Sequence, residues 1–304
     1  MGSVKYPLLL YFSFLVSFSL FSQKTYQFRL IDQVSKQPIP YATVGLGRLN
    51  KGASTDSEGM LSLENIASSS DSIVVSCLGY ENQRFPLSIL STEKLNALEL
   101  KPLQYALQEI IIKPEKLGKP IIINRIDKKK YKIGHFVSNY SSQVARKFTL
   151  DSSFSNQYLL NSVSFLMKRL SAHQTSTFRV RIYQADPISA KPGSDLLITP
   201  IIRTVTQNNE IINVDLRPNH IIIPHSVFYV AIEWLKTDAN AIILESEDGL
   251  TAIPVAYLPL VGVRNSIDSY GTAWSLNYDN SWSILFRSFS QDLAISAEII
   301  PMYK

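Results

Sequence analysis

Gly52-Ala-Ser-Thr-Asp-Ser-Glu-Gly-Met-Leu-Ser-Leu63 decides how this chain folds. Two strand-like runs, Lys51–Ser54 and Met60–Leu63, flank the turn Thr55-Asp-Ser-Glu-Gly59. A carboxylate at Asp56 can accept hydrogen bonds from backbone amides two residues on, and Gly59 can take a positive φ. The stretch therefore predicts a tight hairpin. Working outward, Tyr26, Phe28 and Leu30 alternate with Gln27 and Arg29, the pattern of a half-buried strand. Pro38-Ile-Pro40 breaks that run, and Tyr41-Ala-Thr-Val44 starts the next. Ser72–Leu78 reads as a buried strand ended by Gly79-Tyr80, and Leu98-Glu-Leu100 with Gln108–Ile112 closes the unit. Short strands with turn signals every ~8–12 residues and no sustained helical period predict a β-sandwich.

The order of these pieces is specific. Ile31-Asp32 comes first, then Gln37-Pro-Ile-Pro-Tyr-Ala-Thr-Val44, then the hairpin. Asp71-Ser-Ile-Val-Val-Ser-Cys-Leu-Gly-Tyr80 and Leu107-Gln-Glu-Ile-Ile-Ile112 follow. Residues 24–112 thus resemble the carboxypeptidase regulatory-like domain, a prealbumin-like seven-stranded sandwich. In that family the proline turn, the Thr-Asp-x-x-Gly hairpin and the Gly-Tyr corner are structural. The resemblance implies a fold and no catalytic residue. The same domain precedes the plug and barrel of TonB-dependent transporters. A transporter is not expected here, because residues after 138 lack the series of paired amphipathic strands a barrel needs.

The whole chain has 304 residues, enough for two domains, and 45% apolar with 18% charged residues is a globular balance. Fifteen Tyr and fourteen Phe favour pleated surfaces. The expected fold class is all-β, with the N-terminal sandwich followed by a C-terminal jelly-roll-like antiparallel sandwich over residues 140–304. There Phe178, Val180 and Ile182 alternate with Arg179, Arg181 and Tyr183. Phe228, Val230, Ile232 and Trp234 alternate with Tyr229, Ala231 and Glu233. Such period-2 stripes predict one buried and one wet face.

The formal charge is +5, and it is local. Between Lys113 and Lys132 eight basic residues face only Glu115 and Asp127. The rest is near neutral, which argues against a nucleic-acid partner. Residues 113–139 read as a basic linker, with a short strand at Ile121–Ile123 and a helix start at Asp127–Lys132. Lys128-Lys-Lys130 reads first as a solvated run and second as a phosphate or membrane-surface contact.

Residues 1–22 read as a signal peptide. Lys5 supplies the positive region, and Leu8–Phe21 is apolar apart from Ser13, Ser17 and Ser19. An exported protein of a Gram-negative envelope is expected, periplasmic, outer-membrane associated or secreted, with membrane contact at most peripheral. An uncleaved anchor is the other reading.

No catalytic residue, metal site or cofactor is expected. Catalytic zinc needs three closely arranged ligands and an open position. His135, His173, His220 and His225 fall in no such pattern. No Gly-x-Ser-x-Gly elbow or phosphate-cradling glycine loop occurs. The acidic cluster Glu245-Ser-Glu-Asp248 reads as a solvated turn before it reads as a hard-cation site. Cys77, the single cysteine, is expected in the core. The candidate ligand-binding residues are Trp274, Tyr278 and Trp282, which flank a hairpin turn at Asp279-Asn280 and could stack on sugar rings. Cross-strand packing is the competing role. The expected function is a structural or protein-interaction module whose partner is an envelope protein or polysaccharide. A carbohydrate-binding module using the late aromatics comes second, and a hydrolase of unrecognised type third.

Overall fold

The computed structural model describes residues 24–49, 51–66, 71–103, 116–138, 141–151, 157–170, 175–223, 226–245, 252–285 and 291–303. Among them there is no α-helix, only short 3-10 turns between strands. No described helix is long and apolar enough to cross a membrane. The expected signal peptide and the closing strand at Gln108–Ile112 lie outside the described residues.

The first sandwich contains β1 (Lys24–Asp32), β2 (Thr43–Leu46), β3 (Lys51–Ser54), β4 (Met60–Ile66), β5 (Ser72–Ser76), β6 (Gln83–Pro86) and β7 (Asn96–Leu100). One sheet has the order β4-β1-β7 and the facing sheet β3-β2-β5-β6. The alternation in β1 places Tyr26, Phe28 and Leu30 in the core, where Val44, Leu46, Ile73 and Val75 meet them. Burial of each such side chain stabilises the fold by about 1.5–3 kcal/mol. The hairpin forms as its residues dictate. Asp56 Oδ1 accepts from the amides of Glu58 (2.9 Å) and Met60 (2.8 Å), and Gly59 has φ +71°. Thr55 Oγ1 donates to the Ile39 carbonyl at 2.8 Å and accepts from the Ala42 amide at 2.9 Å, tying the hairpin to the proline turn. Tyr80 donates its hydroxyl to Asp32 at 2.9 Å. Cys77 is buried.

The chain then continues through β8 (Lys116–Leu117), β9 (Ile121–Ile123), β10 (Ile133–Ser138), β11 (Ser141–Thr149), β12 (Gln157–Lys168) and β13 (Ser176–Ala185). Next come β14 (Pro192–Asp195), β15 (Ile201–Val205), β16 (Glu210–Asp215), β17 (Ile222–Ile223), β18 (Val227–Trp234) and β19 (Ala241–Glu245). The last are β20 (Ala252–Asn265), β21 (Ala273–Asn277), β22 (Trp282–Ile284), β23 (Gln291–Leu293) and β24 (Ile295–Tyr303). One sheet is built on β10-β20-β12-β24-β8, and the other on β14-β13-β18-β11-β21-β22. Their inner faces share one core, in which Phe165 meets Phe178 edge-on at 5.5 Å across the two sheets. Trp234 is fully buried and donates its indole N–H to the Pro259 carbonyl at 2.8 Å.

Two features depart from the sequence expectation. The basic stretch is stitched into the second sandwich. β8 and β9 both pair with β24, and β10 pairs with β20. Residues 128–130 form a turn, not a helix start, with the Asp127 side chain accepting from the Lys129 amide (3.1 Å) and its carbonyl from Lys130 (3.0 Å). Tyr131 forces that outcome, because it is fully buried directly after the turn and leads straight into β10. Second, β13 and β18 do not have a wet face. Arg179, Tyr183, Tyr229, Ala231 and Glu233 are all buried.

Candidate binding face at the junction of the two sandwiches

Arg179 on β13 sits directly opposite Glu233 on β18, and Arg181 lies two residues further along the same face. Cross-strand pairing alone would make this an ordinary surface ion pair. The first sandwich closes over it. Glu233 Oε2 accepts from Arg179 Nη1 at 3.2 Å and from Arg181 Nη1 at 2.9 Å. Its other oxygen accepts from Thr43 Oγ1 of β2 at 3.2 Å. Arg179 Nη2 reaches across to the Tyr41 carbonyl at 3.0 Å. Arg181 also pairs with Asp195. Burial pushes the Glu233 carboxyl up, but the two guanidiniums and these hydrogen bonds outweigh it and hold the group below its ordinary value. Asp195 goes the other way, because there burial dominates and raises its pKa. A buried charge with two cationic partners costs desolvation, yet removing one member leaves the others uncompensated at about 3–5 kcal/mol.

Beside this network the β21–β22 hairpin enters the first sandwich. Tyr278 is buried against the bare backbones of Gly45 and Gly52, where added Cβ atoms would stand 2.5 Å from its Cδ1 and 2.6 Å from its Cζ. Glycine in a strand marks such a close approach. Lys236 follows β18 and is only 3% exposed. Its amide donates to Ser54 Oγ at 2.9 Å, and its carbonyl accepts from the Ser54 amide at 3.2 Å. Its ammonium lies 4.6 Å from the Tyr278 ring and 5.0 Å from Tyr257. Ring faces attract a cation. Burial nevertheless pulls the ammonium well below its ordinary pKa and pushes the Tyr278 phenol well above its own. The Tyr278 hydroxyl has no hydrogen-bond partner among the described residues.

A cleft of about 750 Å³ runs along this seam. Gly52, Ser54 and Asp56 line it from the first sandwich, and Lys236, Asp238 and Tyr257 from the second. Both charge signs and apolar surface meet there, so it suits a polar peptide-like or saccharide-like surface better than a purely apolar ligand.

The three sequence-predicted aromatics do not form one site. Tyr278 is sequestered in the junction. Trp274 and Trp282 remain half-buried on the outer face of the second sandwich, over the small side chains of Ala145 and Ala231. Trp274 packs edge-on against Tyr229 at 6.1 Å, and Trp282 against Tyr183 at 5.5 Å. Asp279-Asn280 does form the hairpin turn, with Asn280 at φ +68°. Among the described residues no three His, Cys, Asp or Glu side chains converge as a metal would require. His173, His225 and residues 246–249 of the acidic cluster lie outside the described residues.

Sequence reasoning missed Arg179, Glu233 and Lys236 as a unit. The signals were a carboxylate within the apolar run Val230–Trp234 and three glycines, Gly45, Gly47 and Gly52, within strand-like segments. Neither identifies its partner: Arg179 and Arg181 lie 54 and 52 residues from Glu233, Thr43 lies 190 residues from it, and the ring against the glycines comes from the distant Tyr278.

Residues 29–112 match the CarboxypepD_reg-like domain family. No curated protein matches the chain. Among solved structures, the clostridial cysteine protease Cwp84 after propeptide cleavage is similar at 13% identity and a TM-score of 0.41, over 60% of this chain and 40% of that one. The major pilin subunit BcpA of Bacillus cereus is similar at 9% identity and a TM-score of 0.19, over 93% of this chain and 69% of that one. The chain spans well under half of the protease, and neither likeness bears on activity. The family match covers the first sandwich and not the second: residues 29–112 of this chain are a carboxypeptidase regulatory-like domain.

Proposed function

We propose that this chain is an exported, non-enzymatic interaction module of a Gram-negative cell envelope, in which the two sandwiches act as one unit and present the seam between them to an envelope protein. The observation that supports this most is the junction itself. The Thr43 hydroxyl donates to Glu233, the Lys236 amide donates to Ser54 and Arg179 donates to the Tyr41 carbonyl, which joins the sandwiches beside a cleft of mixed polarity. A unit with a fixed seam presents a preorganised surface, which lowers the entropy lost on binding. The test is a photo-crosslinking residue placed at exposed Asp238 in the cleft, with a second at exposed Lys191 as control. Adducts to the same envelope proteins from position 238 and not from 191 are expected. Equal labelling from both positions overturns the reading.

The second reading is glycan binding on the outer face, favoured by Trp274 and Trp282 remaining partly open beside Tyr183 and Tyr229. Quenching of tryptophan fluorescence by a polysaccharide, lost in Trp282→Ala, would shift the choice to it.

A further inference from the structure

The basic stretch that reads as a linker is held rigidly, and what holds it also leaves its charge unspent. Tyr131 is fully buried and donates its hydroxyl to Asp292 at 3.1 Å. Arg264 of β20 lies over the Tyr131 ring at 5.0 Å and donates to Asp292 at 2.9 Å. Arg146 of β11 donates to the other Asp292 oxygen at 2.8 Å. Asn124, at φ +52°, donates to the Leu293 and Ile295 carbonyls at 3.3 and 2.8 Å and clamps the start of the segment. Asp292 is fully buried and shared between two guanidiniums, so this cluster keeps a net positive charge.

Above it lies a pocket of about 430 Å³. Lys129, Lys130 and Lys132 line one side, and Arg264 and Ser266 the other. No carboxylate lines it. The three lysines are exposed and form no ion pair among the described residues. Asp127, the nearest acid in sequence, accepts the Lys129 amide with one oxygen and does not line the pocket. A solvated linker would let these lysines spread apart. Here a turn fixed at Asp127 and Tyr131 holds them around one concavity, and converging cations focus potential within it.

We propose that this pocket binds a phosphoryl group, with Arg264 and Ser266 at its base and Lys129, Lys130 and Lys132 around its rim. Guanidinium and ammonium donors together suit the several acceptor oxygens of a phosphate. Such a group could be carried by an anionic lipid headgroup or by a soluble phosphate. The proposal is independent of the junction and its cleft.

The test uses the full chain and two probes, pyrophosphate by titration calorimetry and phosphatidylglycerol vesicles by sedimentation against phosphatidylcholine vesicles. Three variants are compared: K129Q/K130Q/K132Q, its charge-keeping counterpart K129R/K130R/K132R, and K24Q/K94Q/K191Q, which removes the same charge from exposed lysines elsewhere. Saturable binding that weakens at least ~10-fold in the first variant, and is kept in the other two, is the expected result; it should also weaken with added salt. If pyrophosphate shows this pattern, the source is soluble phosphate. If only phosphatidylglycerol vesicles show it, the source is a lipid headgroup. No binding of either probe, or equal losses in the first and third variants, overturns the proposal.

Discussion

The ring of Tyr278 lies on the bare backbone of Gly52, so close that a Cβ there would stand 2.6 Å from its Cζ. Two residues far apart in sequence join the sandwiches at this contact, the ring of one lying on the bare backbone of the other. Gly52→Ala must therefore displace either β3 or the buried ring. Overpacking of this kind costs about 1–3 kcal/mol. A urea titration should show the loss, and an unchanged midpoint would mean that the ring yields freely.

Glu233 is expected to be the costliest single position in the junction. Glu233→Gln keeps the shape and removes the charge shared by Arg179 and Arg181, and a loss of about 3–5 kcal/mol is predicted from chemical denaturation. The pH dependence follows from its lowered pKa. Between the folded and unfolded values the unfolded chain binds more protons. Glu233 therefore contributes stability above its ordinary value of 4.5, and that contribution is lost as pH falls through the lower folded value. The difference between wild type and Glu233→Gln should shrink as the pH is lowered below about 4.5.

Lys236 gives a pH dependence of the same sign on the alkaline side. Its folded pKa lies well below 10.5, so the unfolded chain again binds more protons in the window between the two values. Stability carried by this residue rises with pH through that window. Measured against Lys236→Met, the wild type should gain as the pH is raised from neutrality towards 10.5. A difference that stays flat over that range would show that the ring faces of Tyr257 and Tyr278 hold the ammonium fully charged.

Trp282 tests the role of the outer aromatic face. If the ring serves packing, Trp282→Ala loses its edge-on contact with Tyr183 and about 1–3 kcal/mol, less than a fully buried tryptophan would cost. Thermal unfolding followed by circular dichroism reads this directly.

The first sandwich was legible because its signals are local. Asp56 and Gly59 lie three residues apart, and the stripe Tyr26, Phe28, Leu30 lies within one strand. The second sandwich was legible as strands for the same reason. The junction was not. Arg179 and Glu233 fall on the alternate positions that period-2 reasoning assigns to water, and only the covering β2 segment reverses that assignment. Tyr278 reads from the sequence as a candidate ligand-binding ring, and the residues that explain its burial are Gly45 and Gly52. The basic stretch misread as a tether hid its anchor, Tyr131, among lysines, and the matching Asp292 stands 161 residues further on.

The pairing of the connector with β24 also sets how the second sandwich responds to force. Lys116 lies opposite Tyr303, and Ile121 opposite Ile299, in an antiparallel ladder whose two outer ends are neighbours. Tension applied between residues 116 and 303 loads that ladder from its open end. Its bonds then break one after another, like a zipper, without sharing the load. The first strands to yield to a mechanical pull would be β8 and β9, and the next holds on the chain are Asn124 and Tyr131.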